Sequence, residues 1–176
     1  MSTLTDRMLS ANQDFEREVW PRLAPMLGGG PVMSNELAAS DSSTFHLDVQ
    51  SGIDWWQMIP GGGMRGIAAR VQWGIPYKTF TIRRTLVTGN ATEYAKRIRD
   101  IDEGNVYPSV TIQAYLDRRM GDCLATAACK TSELISKCTD ASIRYNRDGS
   151  TFYVIGWDEF DTDHIHIYDA TDGDAT

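Results

Sequence analysis

From Ser43 to Arg84 apolar and polar residues alternate, and glycine or proline interrupts the alternation three times. No other feature limits the fold so strongly. Side chains two apart on a strand share a face, so a period of two builds a sheet, and the interruptions fix where the chain turns. "STFHLDV" puts Phe45, Leu47 and Val49 on one side, and Ser51-Gly52 ends it. "IDWWQMI" follows, and "PGGG" turns the chain again. "MRGIAARVQW" is the third run. Gly74-Ile75-Pro76 then leads to the fourth, "YKTFTIRR", with Phe80 and Ile82 on one face. Runs this close in sequence predict an antiparallel meander.

Helices flank this meander. Residues 4–20 carry Leu4, Met8, Phe15 and Val19 near one face, Thr3 or Thr5 can cap the start, and Pro21 and Pro25 end or kink it. Gly28-Gly29-Gly30-Pro31 is a break, and a short helix through "NELAA" is expected after it. "ATEYAKRIRDI" is helical, with Tyr94, Ile98 and Ile101 on one face, Asn90 or Thr92 as cap, and Glu93–Arg97 as a favourable i,i+4 pair. "SVTIQAYLD" reads as a strand. Residues 120–138 read as one long helix with Leu124, Ala127, Ala128, Leu134 and Ile135 toward the core. "ASIRYNRDGSTFYVIGWDEF" is a hairpin turning at "RDG", "HIHIYDA" is a further strand, and the last six residues are expected to fray. The expectation is a single α/β (α+β) domain over 1–176. It has a central mixed sheet with an αβββαβ-like core in 1–117, flanked by helices. Residues 118–176 hold a C-terminal helix, the hairpin and an acidic tail.

Composition narrows the function. Of 176 residues, 41% are hydrophobic and 23% charged, the balance of a soluble globular chain. No run approaches the roughly 18 apolar residues a membrane helix needs, and the polar start has no signal-peptide core. A cytoplasmic protein is expected. Net charge is −7, yet between Trp55 and Arg99 eight basic residues face one acid, Glu93. That window carries +7 and the remainder −14. A local basic face on an acidic body suits a phosphate-bearing partner, although the same arginines also suit pairing with the acidic end.

Several metal or nucleotide motifs are missing. Cys123, Cys129 and Cys138 fall in the expected long helix without a CxxC pair, which fits small buried residues better than zinc. His164 and His166 share a strand face but lack a third fixed ligand. Asp158, Glu159, Asp161 and Asp163 do not match an EF-hand and read as a solvated face. Gly61-Gly62-Gly63 precedes a strand, so it reads as a hairpin turn and not a phosphate loop. Trp55 and Trp56 face opposite sides of one strand: one belongs to the core, and the other is open to packing or to stacking on a base or sugar.

The residues that carry chemistry lie at the turn into the second run and along the third. Gly52-Ile53-Asp54 brings a carboxylate to the mouth of a strand, and Arg70-Val71-Gln72 sets two polar side chains on one face of the next. With the order helix, strands, helix, strand, these residues resemble the PD-(D/E)XK nuclease superfamily over about the first two-thirds of the chain. The resemblance implies an αβββαβ core and a magnesium or manganese ion that binds phosphate and activates water. It implies Asp54 as a metal ligand and Glu16 of the first helix as a second, with Glu18 the fallback. Asp48 is a further acid, but it faces away from Phe45, Leu47 and Val49. Arg70 and Gln72 stand where the family has its acid and lysine. Gln72 then positions water or phosphate, and Lys78 on the neighbouring strand replaces the lysine. Arg70, Arg83 and Arg84 hold the nucleic-acid backbone. Glu16 also fits a solvated helix face, and Asp54 a cap for local amides.

Two functions follow as expectations. One is a metal-dependent nuclease-like protein that acts on or binds nucleic-acid phosphodiesters, of a phage or mobile-element kind. The other is a non-catalytic, phage-type inhibitor or binding module on the same fold, whose acidic C-terminal region mimics nucleic acid or docks on a basic protein. A homodimer stays open.

Overall fold

The third alternating run becomes the longest strand, and its two faces organise the rest of the molecule. In the computed structural model residues 4–35 and 51–171 are described. The chain starts with helix α1 (Leu4–Asp14), which passes through a π-helical turn (Phe15–Val19) into a last α-helical turn (Trp20–Leu23). Strands β1 (Val32–Ser34), β2 (Trp55–Met58) and β3 (Met64–Trp73) follow. Next come β4 (Thr79–Thr85), α2 (Glu93–Asp102), β5 (Val110–Leu116) and β6 (Cys123–Lys130). The chain continues through α3 (Thr131–Lys137), β7 (Ser142–Tyr145), β8 (Thr151–Gly156) and β9 (Ile165–Asp169). The "STFHLDV" run, the "NELAA" helix, Asp48 and the C-terminal residues from 172 lie outside the described residues.

Six strands form one mixed sheet in the order β1-β2-β3-β5-β6-β9, and three form a second in the order β4-β8-β7. In the larger sheet β3 and β5 are parallel, joined by a crossover through α2, and the other neighbours are antiparallel. The fold is therefore mixed α and β, as expected. The hairpin at "RDG" is also present, as β7–β8.

Two expectations are corrected. The fourth run does not extend the meander: β4 joins the second sheet through β8. The free edge of β3 is taken by β5 over Ile67–Trp73, so the chain must leave the sheet after Trp73. It does so through Gly74 (φ 108°) and Lys78, itself at φ 52°. The long helix over 120–138 is a strand followed by a short helix. β6 is buried on both faces for most of its length, and such a strand shows no alternation. Its alanines then read as helix formers. The cysteines are thus not in one helix: Cys123 and Cys129 lie on β6 and Cys138 ends α3, all three buried and free. Burial pushes the thiol of Cys123 up to about 11 and that of Cys138 to about 12, and raises that of Cys129 as well.

The larger sheet separates two cores. On one face Phe15, Val19 and Leu23 of the first helical segment pack on Trp55, Ile67, Val110, Ile112 and Leu116. On the other, Tyr115, Ala125 and Ala127 meet Phe80, Ile82 and Ile155 of the second sheet and Leu134 of α3. The approach of β1 to β2 depends on Gly30. Its φ is +88°, and a Cβ there would run into the Met58 carbonyl oxygen. The helix α2 begins where the Thr92 side chain accepts a hydrogen bond from the Ala95 N–H (3.3 Å), as the sequence predicted for one of its two candidate caps.

Candidate functional site

Alternation on β3 and β5 sorts their side chains. Ile67, Ala69, Val71, Val110, Ile112 and Ala114 point to the first helical segment. Ala68, Arg70, Thr111 and Gln113 therefore face the other way, and the parallel ladder sets Ala68 beside Thr111 and Arg70 beside Gln113. Here β4 and α2 do not fully close over the sheet. They leave a cleft of about 620 Å³, whose walls include Asp54, Thr81, Arg83, Glu93, Lys96 and Arg97.

A hydrogen-bonded web holds the walls together. Arg70 donates through Nη1 to Thr81 Oγ1 (2.9 Å) and through Nη2 to Glu93 Oε2 (3.2 Å). Thr81 passes its own hydrogen to Gln113 Oε1 at 3.4 Å. Arg97, 3% exposed, donates to Glu93 Oε1 (2.8 Å) and to Thr111 Oγ1 (3.0 Å). The Arg70 and Arg83 guanidinium groups lie 5.6 and 5.3 Å from the centre of the Phe152 ring, within cation–π range. Asp54 accepts a hydrogen bond from the Ala69 N–H at Oδ2 (2.8 Å), so its carboxylate is fixed to the middle of β3.

Two features of this cleft point to an anion. Among the described residues of its walls, four basic side chains, Arg70, Arg83, Lys96 and Arg97, stand with two acids, Asp54 and Glu93. Gln113 Nε2 and Arg83 Nε are buried donors with no protein partner, and Gln113 is 1% exposed. A buried donor without an acceptor costs about 1–3 kcal/mol.

The residues singled out from the sequence divide in two. Asp54, Arg70 and Arg83 meet in the cleft. Gln72 shares the face of Arg70 but lies beyond the cleft lining, opposite Tyr115. Lys78 pairs with Asp169 at the far edge of the sheet. Burial would raise the Asp169 carboxyl, but bonds from Lys78 and Thr171 outweigh it and hold that carboxyl below its usual range. Arg84 donates through Nε to the Tyr153 hydroxyl (3.2 Å), away from the lining. Glu16 is exposed on the π-helical turn, whose Phe15 and Val19 pack against the opposite face of the sheet. The fallback Glu18 pairs with Arg17 (3.1 Å) and Arg22 (3.0 Å).

Gln113, Thr111 and Thr81 escaped the sequence reading, although "VTIQAY" shows polar residues alternating with the apolar row. Glu93 and Arg97 stood out only as an i,i+4 pair. Among the described residues no group of three or more His, Cys, Asp or Glu gathers where a metal ion could sit. Of the two carboxylates among the described cleft residues, Glu93 has both oxygens engaged by arginines, and Asp54 holds the Ala69 N–H through Oδ2. No helix of the described chain is long and apolar enough to cross a membrane. Compared with known proteins, the chain matches no family model, no curated protein and no solved structure.

Proposed function

We propose that this protein binds nucleic-acid phosphodiesters in the cleft between β3, β5, β4 and α2. The observation that carries this reading is the pair of unpartnered buried donors, Gln113 Nε2 and Arg83 Nε, in a cleft whose described walls hold more basic than acidic side chains. Arg70 is held by Thr81 and Glu93, so it meets a phosphate oxygen with little loss of side-chain freedom. Arg83 supplies charge beyond the two arginines that Glu93 engages. The order α1, β1-β2-β3, α2, β5, with β5 parallel to β3, supports a nuclease-like core of the αβββαβ kind, into which β4 is inserted.

A second reading adds catalysis. It is favoured by Asp54, a carboxylate in the same cleft at the mouth of β2. A divalent cation on Asp54 and a bound phosphate would supply the Lewis acid and the activated water for hydrolysis. Binding without cleavage corresponds to the non-catalytic inhibitor, and the exposed Asp158, Glu159, Asp161 and Asp163 suit a basic protein partner.

One experiment separates these readings. Labelled DNA and RNA, single- and double-stranded, are titrated with protein at several salt concentrations, with EDTA and with magnesium or manganese, and the products are run on a gel. Binding that weakens with salt, and by about tenfold in Arg83→Ala, is expected. Cleavage that needs the metal and vanishes in Asp54→Ala supports the enzyme. No binding of any nucleic acid overturns the proposal.

A further inference from the structure

The face of the larger sheet that carries the cleft does not end at Asp54. On β2, Trp56 lies two residues beyond Asp54, about 7 Å along the strand and on the same side. The ladder sets Met33 of β1 opposite Trp56, and Met58 opposite Met64 of β3. Their neighbours Val32, Trp55 and Ile67 belong to the core on the opposite face. Trp56 and the three methionines therefore form one apolar shelf on the cleft side. Met33, Met58 and Met64 are 46, 42 and 56% exposed, and Trp56 is half-buried.

We propose that the ligand is single-stranded nucleic acid, with its phosphates in the cleft and its bases on the Trp56 shelf. This inference rests on the phosphodiester reading of the cleft. Three arguments carry it. The shelf and the cleft share one sheet face, with Asp54 and Trp56 two residues apart and Ile53 and Pro108 over Gly66 beside them. A positive groove beside an aromatic surface is the pairing that binds single strands, because every base has a face that stacks and every linkage a phosphate that needs charge. In a duplex the base faces are stacked on each other, so a shelf beside a phosphate site is useful only to an unpaired strand. Methionine adds polarisable contacts that adapt to any base, which favours binding with little sequence preference.

The test compares short strands of about ten nucleotides, a length typical of such grooves. Wild type, Trp56→Ala and Arg83→Ala are titrated with a base-bearing single strand, an abasic strand of equal length and a duplex. Wild type is expected to bind the base-bearing strand about tenfold more tightly than the abasic one, a difference that Trp56→Ala removes. Arg83→Ala is expected to weaken binding to all three. Equal affinity for base-bearing and abasic strands in wild type, or an equal loss on the duplex in Trp56→Ala, overturns the shelf and leaves the phosphate cleft standing. Loss of discrimination counts only in a variant that retains the wild-type circular dichroism spectrum. Should Trp56→Ala fail to fold, Met64→Gln on the exposed end of the shelf is read in the same way. If wild type binds none of the three, the phosphodiester reading itself fails.

Discussion

Strands β3 and β5 present two opposite chemistries from the same fourteen paired positions. Toward the first helical segment they offer Ile67, Val71, Val110, Ile112 and Leu116, all in the apolar core. Toward β4 and α2 they offer Arg70, Thr111 and Gln113, which line a cleft. The polar side chains are as buried as many core residues, since Gln113 is 1% exposed and Ile112 also 1%. Burial alone thus does not tell a core from a site. What separates the two faces is chemistry: the aliphatic row has no polar group to satisfy, whereas Arg70, Thr111 and Gln113 are held by hydrogen bonds and Gln113 keeps one donor unpartnered.

The comparison breaks most visibly at the apolar face. Ile112→Ala is expected to cost about 3 kcal/mol of stability, read as a lower urea midpoint, while the folded fraction keeps its affinity for nucleic acid. A fall in affinity equal to the fall in stability would mean that the two faces are not separable.

Asp14 sharpens the contrast, because it is a buried carboxylate on the apolar side whose bonds are internal. It accepts from Trp73 Nε1 (2.8 Å) and from the Met120 N–H (2.9 Å), tying the first helix to the end of β3 and to the loop after β5. Asp14→Ala strands both donors and is expected to cost about 2 kcal/mol with no change in binding. A variant that binds less but unfolds at the wild-type urea concentration would move Asp14 from the frame to the site.

On the polar face the signs reverse. Arg83→Ala is expected to lower affinity by about tenfold and the salt slope by about one, with less loss of stability than Asp14→Ala. An unchanged salt dependence would show that Arg83 does not meet a phosphate.

The smallest effect concerns pH. The folded Cys123 thiol titrates at about 11 against a reference of 9.0, because burial disfavours the thiolate. A group whose folded pKa is raised stabilises fully below its unfolded pKa, and that share is lost as pH rises through the folded value. Wild type should therefore lose about 1 kcal/mol between pH 8 and pH 10 beyond what Cys123→Ala loses over the same window. Parallel stability curves for the two proteins would contradict this.

The part of the fold carried by local pattern was legible in the sequence. Alternation marked β2 and β3, a β-rich run marked β5, the Thr92 cap marked α2, and "RDG" marked the β7–β8 hairpin. What failed depended on neighbours distant in the chain. β6 hid because both its faces are covered, and β4 changed sheets because the edge of β3 was already occupied by β5. The candidate site followed the same division. Asp54, Arg70 and Arg83 stood out as polar residues at the mouth or on the face of a strand. Glu93 was visible as a partner of Arg97, but its bond to Arg70 crosses from helix to sheet and leaves no spacing to read. Lys78 looked like a neighbour of Arg70 until the turn at Gly74 carried it toward Asp169.

The pairing of Arg70 with Gln113 in the parallel ladder also bears on how such a protein changes over generations. Losing one residue inside β5 would turn Gln113 toward the helices and bring an aliphatic side chain into the cleft, ruining both faces at once. Single substitutions on the cleft face leave the aliphatic row untouched. The chemistry of the cleft face is therefore free to drift by point mutation, while the length of the central strands is held fixed.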